Sequence, residues 1–148
     1  MKRNLVFFAV CFMLTMPVFA QTAAELEQLL SADSVTYEQA AWFMLRVADV
    51  PASNPSGAFQ HAAERKWLPK NVSADDAARL DGIALLVMGS FGIEGGIGYS
   101  LVKNSHYAYR EMVYQDIIQG RIDPAMPVSG ETLLYIANRV LSQREEGN

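Results

Sequence analysis

The stretch PVSGETLLYIANRVL, residues 127–141, decides the fold. Pro127 stops any helix arriving from upstream, and Ser129 has the hydroxyl that suits the start of a new one. Counting from Ser129, positions +4, +7, +8, +11 and +12 are Leu133, Ile136, Ala137, Val140 and Leu141, the stripe of a helix buried along one face. Two earlier stretches share that phase. In SVTYEQAAWFMLRVAD (34–49), Thr36 leads to Ala40, Phe43, Met44, Val47 and Ala48. In NVSADDAARLDGIALLV (71–87), Ser73 leads to Ala77, Leu80, Asp81, Ala84 and Leu85. Each hydroxyl follows a valine (Val35, Val72, Val128), which can staple the incoming chain. Asp81 alone breaks the pattern, and an acid there needs a partner such as Arg46, Arg79 or Lys66.

A shorter helix precedes each cap: TAAELEQLL (22–30), AFQHAAERKWL (58–68) and HYAYREMVYQDIIQG (106–120). Gly120 is a helix stop, and Pro124 forbids continuation. The spacing therefore predicts an all-α domain of three helix–loop–helix units, about residues 22–50, 58–88 and 105–142. No single unit buries its own stripe, so the three should pack around a common axis. Residues 89–104 form a glycine-rich insertion and 143–148 a polar tail.

The first twenty residues read as a cleaved export signal. MKRN is basic, LVFFAVCFMLTMPVFA is an uncharged apolar run broken by Pro17, and Val18-Phe19-Ala20 fits a small-x-small cleavage rule. The run is short for a span of about 20 residues, so no transmembrane segment is expected after cleavage. The single cysteine, Cys11, lies inside the leader, which leaves a mature chain without disulfide or thiol chemistry. Loss of Lys2 and Arg3 moves the formal charge from −4 to −6. An acidic chain with scattered cations lacks the footprint for nucleic acid. The expected location is the periplasm, the cell envelope or the cell surface.

These residues resemble the S-layer homology repeat. In that family a first helix ends near G-[IW]-[IL]-x-G, and a Thr-Arg-Ala-Glu-like tetrapeptide opens the second. DIIQG (116–120) and KWLP (66–69) look like the first element; TYEQ (36–39), SADD (73–76) and SGET (129–132) stand at the second. The resemblance covers about residues 22–142 and implies a pseudo-threefold helical bundle. It also implies non-covalent binding of a cell-wall or surface polysaccharide, an acidic one in the familiar cases. The family's arginine at the second tetrapeptide position is replaced here by Tyr37, Ala74 and Gly130. Thr36, Ser73 and Ser129 are expected to cap, Gln39 and Asp76 to complete capping boxes, and Glu38, Asp75 and Glu131 to suit the positive helix start.

Chemistry beyond binding is not expected. The glycines of GSFGIEGGIGYSLVKNS (89–105) do not form GxGxxG or GK[ST], and Ser90 is not in G-x-S-x-G. His61 and His106 have no histidine partner at i+4, so no metal set assembles, and no catalytic set or cofactor motif is visible. The insertion either closes the bundle or offers Phe91 and Ile97 to a partner or membrane interface. Tyr107, Arg110 and Tyr114 recur on one face of a helix, and with Trp67 and Arg121 they complete the candidate binding surface. The expected function is a non-catalytic envelope protein whose partner is wall polysaccharide. The alternative is a scaffold for another envelope protein.

Overall fold

A computed structural model describes residues 16–120 and 122–146. Residues 1–15 of the expected leader, Arg121 of the candidate surface and residues 147–148 of the tail lie outside the described residues. The fold is all-α: α1 Met16–Leu30, α2 Tyr37–Val47, α3 Pro55–Glu64, α4 Leu80–Ser90, α5 Ile97–Leu101, α6 Ser105–Tyr114 and α7 Gly130–Glu146. Among the described residues there is no strand. α2 packs on α3, α4 on α6, and α7 on α1, while α2 also meets α4 and α7.

Local chemistry starts most of these helices. Thr36 caps α2 in a reciprocal box: its hydroxyl accepts from Gln39 N–H at 3.2 Å, and its own N–H donates to Gln39 Oε1 at 2.9 Å. Asn54 accepts from Gly57 N–H at 2.7 Å ahead of Pro55, and Asn104 accepts from Tyr107 N–H at 3.0 Å. Ser129 accepts from Thr132 N–H at 3.2 Å.

The start of α4 departs from the sequence reading. Ser73 does not cap it, and Asp75 and Asp76 are not in its first turn. Ser73–Asp76 instead closes a turn, with Asp76 N–H donating to Ser73 O at 3.2 Å and Ser73 N–H to the Asp76 carboxylate at 2.7 Å. The cap residue is Arg79, whose side chain makes no capping bond. A hydroxyl is unnecessary because neighbouring loops supply the acceptors: Leu80 N–H donates to Met126 O at 3.0 Å and Asp81 N–H to Pro124 O at 2.9 Å. The first turn of α2 is treated alike, Tyr37 donating to Asp76 O and Glu38 to Ala74 O, both at 3.0 Å.

With Arg79 as the origin, positions +4, +7, +8 and +11 of α4 are Ile83, Leu86, Val87 and Ser90, all buried. Asp81 no longer interrupts a stripe. It becomes the first-turn acid of α4, as Glu38 is of α2 and Glu131 of α7, and it pairs with Arg79 at 3.2 Å. Of the stripe residues expected from the sequence, Ala77 is exposed and precedes the helix, and Leu141 lies at the surface.

The residues entering α2, α4 and α7 are joined in a ring. Val35 N–H donates to Val128 O (2.9 Å), Val128 N–H to Ala78 O (2.9 Å) and Ala78 N–H to Val35 O (2.8 Å). A second set runs the other way around: Tyr37 to Asp76 O, Leu80 to Met126 O, and Gly130 to Ala32 O, each at 3.0 Å. Buried polar backbone is thereby satisfied at the centre of a helical protein. α4 is apolar nearly all round, with nine of its eleven residues buried, and forms the heart of the core.

Two boundaries also shift. The polar tail is helical as far as Glu146: Gln143 Nε2 donates to Gln115 O at 2.6 Å, and the Arg144 guanidinium lies 5.7 Å from the Phe91 ring. The insertion contributes Gly89 and Ser90 to α4, and Ile97–Leu101 to a helix of its own.

Four helices stop in one way. Asp49 (φ 56°), Lys66 (φ 60°), Gly92 (φ 63°) and Asp116 (φ 62°) follow α2, α3, α4 and α6 in the left-handed region. The next amide reaches back to the last turn: Val50 to Leu45 O, Trp67 to Ala62 O, Ile93 to Met88 O and Ile117 to Met112 O, at 2.8, 2.8, 3.0 and 2.9 Å. This is the Schellman motif with its apolar follower, filled by glycine only once. A non-glycine residue there costs about 1–2 kcal/mol, of which glycine's extra unfolded-state freedom offsets part. Asp49→Gly and Asp116→Gly should each stabilise the fold by about 0.5–1 kcal/mol. A urea titration of each variant checks this, and a lowered midpoint contradicts it.

Candidate functional site

Each tryptophan of the chain lies beneath a guanidinium beside an opening in the surface. Trp42 projects from α2 with Arg46 one turn further on, the guanidinium 4.9 Å from the ring centre. Arg46 is held over the ring by Glu25 of α1 at 3.3 Å. The groove between α1 and α2 encloses about 490 Å³, floored by Leu26, Leu29 and Phe43 and edged by Glu38, Gln39 and Arg46. It offers an aromatic face with carboxylate, amide and guanidinium groups around it, so it can grip a ligand bearing both hydroxyls and an apolar face.

The second opening, of about 640 Å³, lies between the end of α3 and the insertion. Trp67 stands on Gly89, where an added Cβ would fall 2.2 Å from the indole, and Arg65 lies 5.3 Å from its ring centre. Lys66, Glu94 and Lys103 also face this cleft. Tyr99 is seated on Gly95, an added Cβ there falling 2.7 Å from its ring, and burial pushes its hydroxyl pKa above the usual tyrosine value. The insertion is tied to α6 by Glu111, which accepts from Gly96 N–H at 2.9 Å, and by Gln115, whose amide donates to Glu94 O at 3.3 Å.

The candidate surface expected from the sequence does not assemble as one face. Phe91 is 6% exposed and belongs to the core, because it ends α4 and is overlaid by α7. Ile97, in contrast, is 82% exposed. Tyr107 leans half-buried on Gly98, Arg110 is exposed, and Tyr114 is 86% exposed, so only part of that helix face is free. Trp67 is half-buried in the basic cleft.

The second tetrapeptide positions expected from the sequence do not form a common surface. Tyr37 packs inward with its hydroxyl 3.4 Å from Arg79 N–H and its pKa raised by burial, Ala74 is half-buried in the turn ahead of α4, where its carbonyl accepts from Glu38 N–H, and Gly130 abuts α1. Glu38 and Gln39 line the α1/α2 groove instead. Sequence reasoning missed Arg46 and the gathering of Arg65, Lys66 and Lys103. The W-x-x-x-R spacing at 42–46 carries the signal for the former, whereas nothing in the sequence pairs 65–66 with 103. Among the described residues no group of three or more histidine, cysteine, aspartate or glutamate side chains could hold a metal. Comparison with protein-family models, curated proteins and solved structures finds no match.

Proposed function

We propose that this chain is an exported, non-catalytic module of the cell envelope, a bundle of three S-layer-homology-like units that binds wall or surface polysaccharide. The two opposed sets of backbone bonds, one through Val35, Ala78 and Val128 and one donated by Tyr37, Leu80 and Gly130, support the three-unit reading, because the donors stand at matching places in the three entering segments. One observation carries the functional reading: the Trp42 groove, which Glu38 and Gln39 of the tetrapeptide line together with Arg46 and the rings of Trp42 and Phe43. Sugar rings present apolar faces to such a floor and hydroxyls to such a rim. The guanidinium that the family supplies from the tetrapeptide comes here from Arg46, two turns into the helix.

The test is retention on purified cell-wall sacculi. Trp42→Ala and the rim variant Glu38→Ala/Arg46→Ala should each weaken retention at least about ten-fold, the loss of one desolvated anchor. Helicity should be unchanged in the rim variant, whose side chains stand at the groove edge. Retention equal to the parent protein in both variants contradicts the proposal, as does its absence from the parent at low salt.

A further inference from the structure

We infer that the outer face of α5, together with the basic cleft behind it, is a docking surface for an anionic lipid membrane. The site lies apart from the α1/α2 groove and does not depend on the polysaccharide reading. α5 sorts its side chains sharply for so short a helix. Tyr99 is buried, and Ser100 borders the cleft together with Lys103 just past the helix end. Ile97 and Leu101, one turn apart, are 82% and 79% exposed, and Val102 beside them is 50% exposed. Isolated exposed apolar residues are ordinary, but three aliphatics within six residues, two on one turn of a helix and one at its end, are a patch with a use.

The charges around that patch run against the rest of the molecule. The chain carries a formal charge of −4, yet Arg65, Lys66 and Lys103 converge on the cleft with Glu94 as its one acid. Among the described residues the ion pairs are Arg46–Glu25 and Arg79–Asp81, so these three cations are not consumed by a carboxylate. The Glu111 and Gln115 bonds and the rings of Tyr99 and Tyr107 against Gly95 and Gly98 hold α5 in place. It is therefore presented as a fixed ledge.

Cations beside exposed aliphatics match an anionic bilayer on two counts. The side chains of Ile97, Leu101 and Val102 can enter the headgroup–acyl boundary, and Lys103, which directly follows Val102 and shares the cleft with Arg65 and Lys66, sets cations at the edge of the same ledge for the lipid phosphates. Protein interfaces instead favour aromatic residues and methionine at their centre and are depleted in lysine. Attachment would be peripheral, since no helix among the described residues is long and apolar enough to cross a membrane.

Co-sedimentation with vesicles of phosphatidylcholine containing about one-third phosphatidylglycerol, against pure phosphatidylcholine, tests this. The full chain is used as isolated from the envelope of producing cells, and every variant shares its N-terminus. The parent should bind the anionic vesicles and release them at high salt. Arg65→Ala/Lys66→Ala/Lys103→Ala should weaken binding about five-fold per charge, about a hundred-fold together. Ile97→Ser/Leu101→Ser should weaken it at least about ten-fold with helicity intact, because both side chains are at the surface. Equal binding by all variants overturns the inference. So does dependence on the cations alone, which would mark a simple anion site. A vesicle-independent dimer that Ile97→Ser/Leu101→Ser abolishes also overturns it, since the patch would then serve a second copy of this chain.

Discussion

Gly130→Ala is expected to break the seam between the first and last helices. An added Cβ would fall 1.7 Å from Leu29 O, 2.6 Å from Leu29 C and 3.1 Å from Leu30 Cα, all backbone atoms at the end of α1. No rotamer relieves such a clash, so α1 must move away from α7. Gly130 N–H also donates to Ala32 O at 3.0 Å, and displacement of α1 strains that bond. Tyr37 and Leu80, which make the matching backbone bonds at the starts of α2 and α4, carry large buried side chains instead. Overpacking a core costs about 1–3 kcal/mol when side chains can yield, and a backbone obstacle puts this change at or beyond about 3 kcal/mol. Urea unfolding should show the loss, and limited proteolysis should cut within Met16–Leu30 before any other helix. An unchanged midpoint with an intact α1 would mean that the seam is loose.

How much of this could be read from the sequence depends on where each signal resides. Thr36 and Ser129 cap through their own side chains, and the stripes that follow them are legible except at Leu141, which lies at the surface. Ser73 looked the same and misled, because α4 takes its capping from the carbonyls of Met126 and Pro124, some forty-five residues away. A helix capped by tertiary structure leaves no mark at its own start. Helix ends were obscured for a related reason. Asp49, Lys66 and Asp116 occupy positions that normally advertise themselves with glycine.

The binding surfaces divide along the same line. Trp42 and Arg46 are one turn apart on a single helix, so their stacking is a local fact. The basic cleft needs residues 65–66 and 103 brought together by the insertion, which the scatter of cations along the chain concealed. Phe91 was indistinguishable from Ile97 as an apolar residue among glycines. Phe91 ends α4 inside the core cluster, with Arg144 of the extended α7 over its ring, whereas Ile97 stands on the outer face of α5.

Leu86→Ala should cost about 2–5 kcal/mol, the range for deleting a fully buried aliphatic side chain. Leu86 has no exposed surface and lies on α4, which is enclosed by α2 on one side and α6 on the other. Counted from Ser73, Leu86 falls off the stripe. Counted from Arg79, it is position +7, equivalent to Phe43 and Ile136. Leu141→Ala provides the contrast: counting from Ser129 puts Leu141 on the stripe at +12, yet it is 37% exposed and its loss should cost under about 1 kcal/mol. The slope of the urea transition should be unchanged in both variants, since neither alters the surface exposed on unfolding by much. A cost at Leu86 as small as that at Leu141 would contradict the Arg79 register and undo the equivalence of Thr36, Arg79 and Ser129. The three-unit reading rests on that equivalence, because it brings one acid, Glu38, Asp81 or Glu131, to the same place in each first turn.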